Sequence, residues 1–175
     1  MTASRTPARR APWLDAVLYG LALVLAAACV AGGVASFRAH EDRQDATAEQ
    51  ERYGDVVKAA SAQAEALVNL DYRDLQATYD QVTAGATGDF LQQYTDSWKD
   101  QQKIFAQAKS VSTGKVRAAA VSNIDNDSAT VMVAVQGTTR NTATGEEAQQ
   151  RRFRFRVDVV EVDGAWLTQK LEFVG

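Results

Sequence analysis

Residues 152–173 read RFRFRVDVVEVDGAWLTQKLEF, and this stretch of the sequence decides the fold. Over residues 153–159 apolar side chains alternate with charged ones, which is the two-residue period of a strand with one apolar face. Asp163-Gly164 is a strong signal for a two-residue hairpin turn. The stretch therefore predicts an antiparallel hairpin, whose second strand covers residues 166–174.

The pairing within this hairpin predicts one irregularity. If the register of the two-residue turn continued unbroken, Arg156 would lie opposite Leu171, which places a charge on the apolar face. One extra residue at Val159-Val160, a β-bulge, removes this conflict because Phe155 then lies opposite Leu171. We therefore predict a bulged and bent sheet.

Two more strands precede the hairpin, because alternation and β-branched residues become common after Ser110. We predict them at residues 115–124 and 129–139, with a turn at residues 125–128 between them. A second turn, around Thr144-Gly145, leads into the hairpin. Together the four strands form an antiparallel sheet with one apolar face.

Upstream of the strands, apolar residues recur at spacings of three and four, which predicts helices. The first helix covers residues 53–68, a short second one covers residues 75–82, and Asp89 caps the third. The third helix carries a mostly apolar stripe: Phe90, Leu91, Tyr94, Trp98, Gln101, Phe105 and Ala108. Such an apolar face is stable only when it is buried against another element. We therefore predict an α+β fold with about three helices packed on a curved four-stranded antiparallel sheet.

The N-terminal region predicts a membrane anchor. Residues 16–37 carry no charge, and a helix of that length, at ~1.5 Å per residue, spans the ~30 Å hydrocarbon core. Arginines in residues 1–15 favour a cytoplasmic N-terminus in the plasma membrane, and residues 38–52 predict a helical stalk that carries an extracytoplasmic domain at residues 53–175. Length favours this single-pass anchor over a cleaved signal peptide, a lipoprotein signal ending at Cys29, or a core helix.

The sequence does not indicate catalysis. His40 is the only histidine and Cys29 the only cysteine, and neither has a partner at the spacing of a nucleophile, an acid–base pair or a metal site. Residues 125–127 lack the glycine and distal glutamate of a calcium loop and are better explained as a turn. We expect no enzyme, no cofactor and no metal, and the net charge of −3 does not indicate a nucleic-acid partner.

Three segments carry a resemblance to a known family: residues 67–72 (LVNLDY), residues 86–90 (ATGDF) and the hairpin residues 163–166 (DGAW). The layout resembles actinobacterial Mce-associated membrane proteins, which have one N-terminal span and a nuclear transport factor 2-like domain. The resemblance implies a non-catalytic accessory or scaffold subunit of an Mce-type lipid or sterol import complex in the cell envelope, whose other subunits are its partners. The layout is also similar to the scaffold subunits of type IV secretion and conjugation channels. A fold-related lipid-binding or enzymatic domain is a further alternative.

Two groups of residues are candidates for binding. The first group is aromatic and could line a ligand cavity between the helices and the sheet. It could equally form a filled core, and we favour the filled core because protein interiors are densely packed. Its members are Tyr72, Tyr79, Tyr94, Trp98, Phe105, Phe153 and Phe155. Arg152, Arg154 and Arg156 form a basic ladder on the outer sheet face. This ladder could be a docking face for an acidic partner or for lipid headgroups. It could also be a solvated face whose arginines pair with carboxylates such as Glu172, and we favour this second interpretation.

Overall fold

The predicted helices and the antiparallel sheet are present in the structure, a computed structural model that describes residues 49–145 and 147–175. Helix α1 covers residues 49–68 of the described chain. The other helices are α2 (Leu75–Ala84) and α3 (Gly88–Ala108), and the strands are β1 (Leu70–Asp71), β2 (Val111–Ile124), β3 (Ser128–Arg140), β4 (Gln149–Val162) and β5 (Ala165–Phe173). The predicted α+β class is confirmed.

The strands form one antiparallel sheet in the order β1-β2-β3-β4-β5. The predicted sheet had four strands, and the fifth is β1, which pairs with the start of β2. A strand of two residues is too short to show alternation, so the residue pattern does not predict it. Since β1 is so short, most of β2 has no strand on its outer side, and this edge must be satisfied in another way.

The apolar face of the sheet is covered by α1. The buried apolar residues of this helix recur every four positions, as predicted for one helical face: Val56, Ala60, Ala64 and Val68. They pack against inward-facing residues of β3 and β4: Ala129, Val131, Val133, Val135, Phe155, Val157 and Val159. A second buried cluster, formed by Leu75, Val82, Tyr94 and Trp98, lies in α2 and α3.

The end of α1 is fixed to the open edge of β2 by two polar side chains. The Asn69 amide accepts a bond from the Gly114 N–H at 2.9 Å and donates to the Gly114 carbonyl at 3.2 Å. Glu65 accepts from the Val116 N–H at 2.9 Å and from Lys115 Nζ at 2.8 Å. Side chains thus take the place of a longer β1 strand along this edge.

We predict that Asn69→Ala lowers the free energy of unfolding by about 1–3 kcal/mol, because it leaves both backbone groups of Gly114 without their partners. Thermal and urea unfolding of the purified full chain, followed by circular dichroism, measures the change. Asn126→Ala, in the exposed turn between β2 and β3, is the matched control and should stay within about 0.5 kcal/mol of the parent. Equal effects of the two substitutions would contradict the role of Asn69.

The same edge makes stability depend on pH. The hydrogen bond from Lys115, followed by that from the Val116 N–H, lowers the pKa of Glu65 below its ordinary value of 4.5. Because the folded state has the lower pKa, the ionised carboxylate stabilises the fold at neutral pH, and this contribution is lost as the pH falls through 4.5 and below.

We therefore predict that Glu65→Gln destabilises the chain by about 1 kcal/mol at pH 7 and that this difference disappears towards pH 3. The glutamine still accepts a bond from Val116, so the substitution isolates the charge. Unfolding at a series of pH values measures the effect, with exposed Glu161→Gln as the control. A difference that stayed constant across this pH range would show that the charge does not act as described.

The predicted bulge exists, but its position was wrong. The pairing shifts between Asp158 and Val159, and the extra residue is Gln169 of β5 rather than a residue of β4. Phe155 consequently lies opposite Phe173, and Leu171 lies opposite Val157. The physical reason is that β4 alternates without a break, whereas the inward residues of β5 change from even to odd positions at Gln169.

Other boundaries also differ from the prediction. The N-cap of α3 is Thr87 rather than Asp89, which lies in the first turn. Thr87 is held there because its N–H donates to the Thr168 carbonyl at 2.8 Å. No helix within residues 49–145 and 147–175 is long and apolar enough to cross a membrane. The predicted span at residues 16–37, along with His40 and Cys29, lies outside the described residues.

Candidate functional site

A cavity of about 300 Å³ lies between the helices and the sheet. Its apolar walls combine residues from α1, α3, β4 and β5, together with Leu70 of β1: Leu67, Val68, Leu70, Tyr94, Phe105, Phe153, Phe155 and Phe173. Its polar lining consists of neutral side chains only: Thr78, Gln101, Ser110, Ser112, Thr139 and Asn141. The cavity is large enough for a small organic ligand.

The structure brings four of the seven predicted aromatic residues together on the cavity wall: Tyr94, Phe105, Phe153 and Phe155. Tyr79 and Trp98 lie in an aromatic column beside it, with ring centroids 6.2 Å and 5.4 Å, respectively, from that of Tyr94. Tyr72 lies in a different surface depression, near Lys109 and Arg140. Whether the cavity binds a ligand stays a prediction.

Phe173 is the main wall residue that sequence reasoning missed. Its ring lies 4.8 Å from that of Phe155 and is 67% exposed, so it stands at the mouth of the cavity. The signal that would have found it is the change of parity along β5, since Leu171 and Phe173 share a face only if a bulge precedes them.

The electrostatic character of the cavity is neutral. Burial, with a smaller effect of Tyr79, raises the pKa of the Tyr94 phenol to about 12, so this group is uncharged at physiological pH. Among residues 49–145 and 147–175, those that line the cavity include no aspartate, glutamate, lysine, arginine or histidine. The described residues also hold no group of three acidic or metal-ligating side chains that could bind a metal ion. The walls can therefore bind apolar and neutral polar groups.

A second candidate surface is the outer face of the sheet, which we call the arginine face: Ala118 and Ala120 of β2, Met132 and Ala134 of β3, and Arg152, Arg154 and Arg156 of β4. Register places Ala118, Ala134 and Arg154 in one row and Ala120, Met132 and Arg156 in the next. The small side chains leave a shallow apolar depression of about 230 Å³ beside Arg154. Met132 is 38% exposed within it.

The expected pairing of the arginines with Glu172 was wrong. Glu172 lies opposite Arg156 but forms its ion pair with Lys170 at 2.8 Å, while Arg156 lies 3.5 Å from Asp158. Arg152 and Arg154 lie beyond the last paired residue of β5 and have no carboxylate partner within the described part of the chain. The unpaired guanidinium group of Arg154 thus borders the apolar depression, and Arg152 is the next residue along the same face of β4.

One further polar cluster lies at the corner between β1 and α2. Arg73 donates to both oxygens of Asp71, at 2.9 Å and 3.1 Å from its Nε. These bonds lower the pKa of Asp71 to about 2. Asp71 also accepts a bond from the Arg73 N–H, so the pair closes a turn between neighbours in the chain. The cluster has a structural explanation and no feature of a catalytic site.

Comparison with known sequences identifies relatives of the chain. A family model described as "Uncharacterized protein Rv1363c/MT1408-like" matches residues 15–175. The uncharacterized protein Rv1363c of Mycobacterium tuberculosis is 28% identical over 165 residues, which are 94% of this chain and 62% of that protein. This chain therefore spans less than two thirds of the length of its relative.

Comparison with solved structures identifies the fold. The periplasmic domain of DotI superposes with a TM-score of 0.57 and 13% identity, over 68% of this chain and 92% of that one. CagV of Helicobacter pylori strain 26695, described as a VirB8 homolog of a T4SS, gives a TM-score of 0.54 and 9% identity, over 69% and 96% of the two chains. At such low identity the likeness concerns the fold alone, and the relatives named above do not show an association with Mce. The chain therefore belongs to the Rv1363c/MT1408-like family, and its described domain has a nuclear transport factor 2-like fold of the VirB8 type.

Proposed function

We propose that this chain is a non-catalytic scaffold subunit of a multiprotein transport assembly in the cell envelope. Its N-terminal segment at residues 16–37 anchors it in the plasma membrane, and the domain at residues 53–175 stands outside. The observation that carries this proposal is the arginine face, where unpaired positive charge borders an apolar depression. Arginine and methionine are enriched at protein interfaces, so the composition of this face suits a docking surface.

The chemistry of the arginine face defines a partner. A solvent-facing side of an antiparallel sheet is normally covered by polar side chains, but here Ala118, Ala120, Met132 and Ala134 form an apolar centre. A protein segment with one apolar ridge and flanking carboxylates would fill the depression and pair with Arg152 and Arg154. An acidic amphipathic segment of another subunit is therefore the proposed partner.

The fold favours one kind of assembly. CagV is described as a VirB8 homolog of a type IV secretion apparatus, and DotI contributes a periplasmic domain of the same fold. This likeness supports a secretion-type assembly more than lipid import, for which only the resemblance to Mce-associated proteins speaks. Residues 49–175 contain neither histidine nor cysteine, and nothing in the described domain supports an enzymatic role.

We predict an extracytoplasmic C-terminus. Alkaline phosphatase fused after Gly175 and produced in the native host should be active, because the enzyme matures only outside the cytoplasm. A β-galactosidase fusion at the same residue is the control and should be inactive. The opposite pair of activities would place the domain in the cytoplasm and would remove it from an envelope assembly.

We also predict that the double substitution Arg152→Glu/Arg154→Glu reduces co-purification of partner subunits at least tenfold, because two like charges would then face the acidic segment. The full chain is purified from the native host in mild detergent after cross-linking, and the partners are identified by mass spectrometry. The matched control is Arg151→Glu, which changes an exposed residue of the same strand on its opposite face.

The identity of the captured proteins decides between the assemblies. Recovery of a secretion or conjugation ATPase with other channel subunits supports the proposed type, whereas lipid-transfer subunits with transporter permeases would replace it with lipid import. If the charge-reversed chain retains every partner of the parent and melts at the same temperature, the arginine face is not the docking surface.

A further inference from the structure

The hydrophobic core of the described domain is divided in two. One buried cluster lies between α1 and the sheet, and the other lies between α2 and α3. The cavity lies where they meet, because Phe155 of the first cluster and Tyr94 of the second both line it. Leu67 of α1 packs against both clusters and also lines the cavity, which therefore lies at their junction.

The cavity has the size and the surface of a small-molecule site. Its volume of about 300 Å³ is equal to that of roughly ten water molecules in the liquid and lies at the lower end of the range for ligand pockets. Phe105, Phe153 and Phe173 present aromatic surface to it. Water gains no hydrogen bonds from this aromatic part of the wall, whereas a hydrocarbon group is stabilised there by contact with the rings.

Two buried residues with hydroxyl groups line the same space. Thr78 and Ser110 are 7% and 8% exposed, and both line the cavity. A hydroxyl group can both donate and accept a hydrogen bond, so either residue could bond to a polar group of a ligand in the cavity.

The lining also excludes a charged ligand. The polar side chains that line it in the described part of the chain are all neutral, so none supplies a positive charge to balance a carboxylate or phosphate. Placing such an anion among the phenylalanine rings would leave its charge uncompensated in an apolar environment. Ser110 lies close in sequence to Ser112, whose hydroxyl is 3.2 Å from that of Thr139, so neutral hydrogen-bonding groups are concentrated at this end of the sheet.

We propose that this cavity binds an uncharged, mostly hydrocarbon molecule that carries a hydroxyl or carbonyl group. The hydrocarbon part lies against the aromatic walls, and the polar group bonds to the hydroxyl of Ser110. The site is independent of the arginine face, which lies on the other side of the sheet.

The experiment uses the full chain in phosphatidylcholine nanodiscs and a photoactivatable decanol that carries a diazirine in its chain. After irradiation and digestion, mass spectrometry should locate the label on peptides that contain Phe105, Phe153 or Phe173. Excess unlabelled decanol should reduce this labelling at least fivefold. A matched photoactivatable decyl sulfate, which is always charged, should label these peptides at least fivefold less than the alcohol.

Two substitutions test the site itself. Ser112→Phe fills the cavity and should reduce labelling by the alcohol at least fivefold, whereas Thr113→Phe, at an exposed neighbouring position on the other side of β2, should leave it unchanged. Ser110→Ala removes the hydroxyl with little change in volume. It should reduce labelling by decanol at least threefold while labelling by photoactivatable decane stays the same.

The Ser110→Ala comparison keeps the proposal falsifiable even if the phenylalanine variant fails to fold. Equal labelling by decanol and decyl sulfate, or labelling that unlabelled decanol does not reduce, would overturn the proposal. So would loss of decane and decanol labelling in equal measure in Ser110→Ala, because that result would indicate a general change of packing instead of a lost hydrogen bond.

Discussion

The attachment of α1 to the open edge of β2 is the constraint on which the rest of the domain depends. β1 satisfies only the first residues of β2, and the side chains of Asn69 and Glu65 bind the backbone at Gly114 and Val116. A strand edge left without such partners is unstable and prone to pair with other chains. Since these bonds come from the end of the helix, satisfying the edge also fixes where α1 lies on the sheet.

Glycine makes this close approach feasible. A methyl group on Gly114 would lie 2.6 Å from a methyl of Val68 and 2.9 Å from one of Val135. On the neighbouring strand, a methyl group on Gly137 would lie only 1.9 Å from the Thr113 carbonyl oxygen. Atoms cannot approach so closely, so Gly114 is required for Val68 to pack against the sheet, and Gly137 is required for β3 to approach β2 at this point.

The division of the core follows from attachment at opposite edges of the sheet. α1 is fixed at β2, whereas the connection between α2 and α3 is fixed at β5 by backbone bonds of 2.8 Å between Thr168 and residues Gly85 and Thr87. The aromatic cluster of α2 and α3 therefore contacts the C-terminal part of α1, through Ala66 and Leu67, rather than its whole length. The cavity is the space that the side chains of these helices leave open above the sheet. Large aromatic side chains line it because only they are long enough to reach into this space.

Local patterns in the sequence predicted the elements well, because each long helix and strand repeats its period several times. The stripe of α1, the alternation of β4 and the Asp163-Gly164 turn, whose residues adopt φ angles of 51° and 80°, all match the structure. The short strand β1 and the positions of the caps depend instead on contacts between distant segments. Four of seven predicted aromatic residues line the cavity, but periodicity alone could not separate a wall from a filled core.

The bulge illustrates the same limit more sharply. Placing the extra residue required a choice between two strands, and the apolar pair Val159-Val160 suggested the wrong one. The two strands differ in which positions face inwards. The inward residues of β4 are odd-numbered throughout, whereas those of β5 change from even to odd numbers. A comparison of parity along both strands, rather than a search for adjacent apolar residues, identifies the bulged strand.

β4 joins the two candidate sites through a single register. Its odd-numbered residues Phe153 and Phe155 face the cavity, and its even-numbered residues Arg152 and Arg154 face the other side of the sheet. Successive side chains of a strand point in opposite directions, so a shift by one residue would move the arginines inwards and the phenylalanines outwards. The bond from the Val174 N–H to the Arg154 carbonyl, at 2.9 Å, holds this strand beyond the last paired residue of β5. The end of the chain thus helps to preserve the register on which both the apolar cavity and the basic face depend.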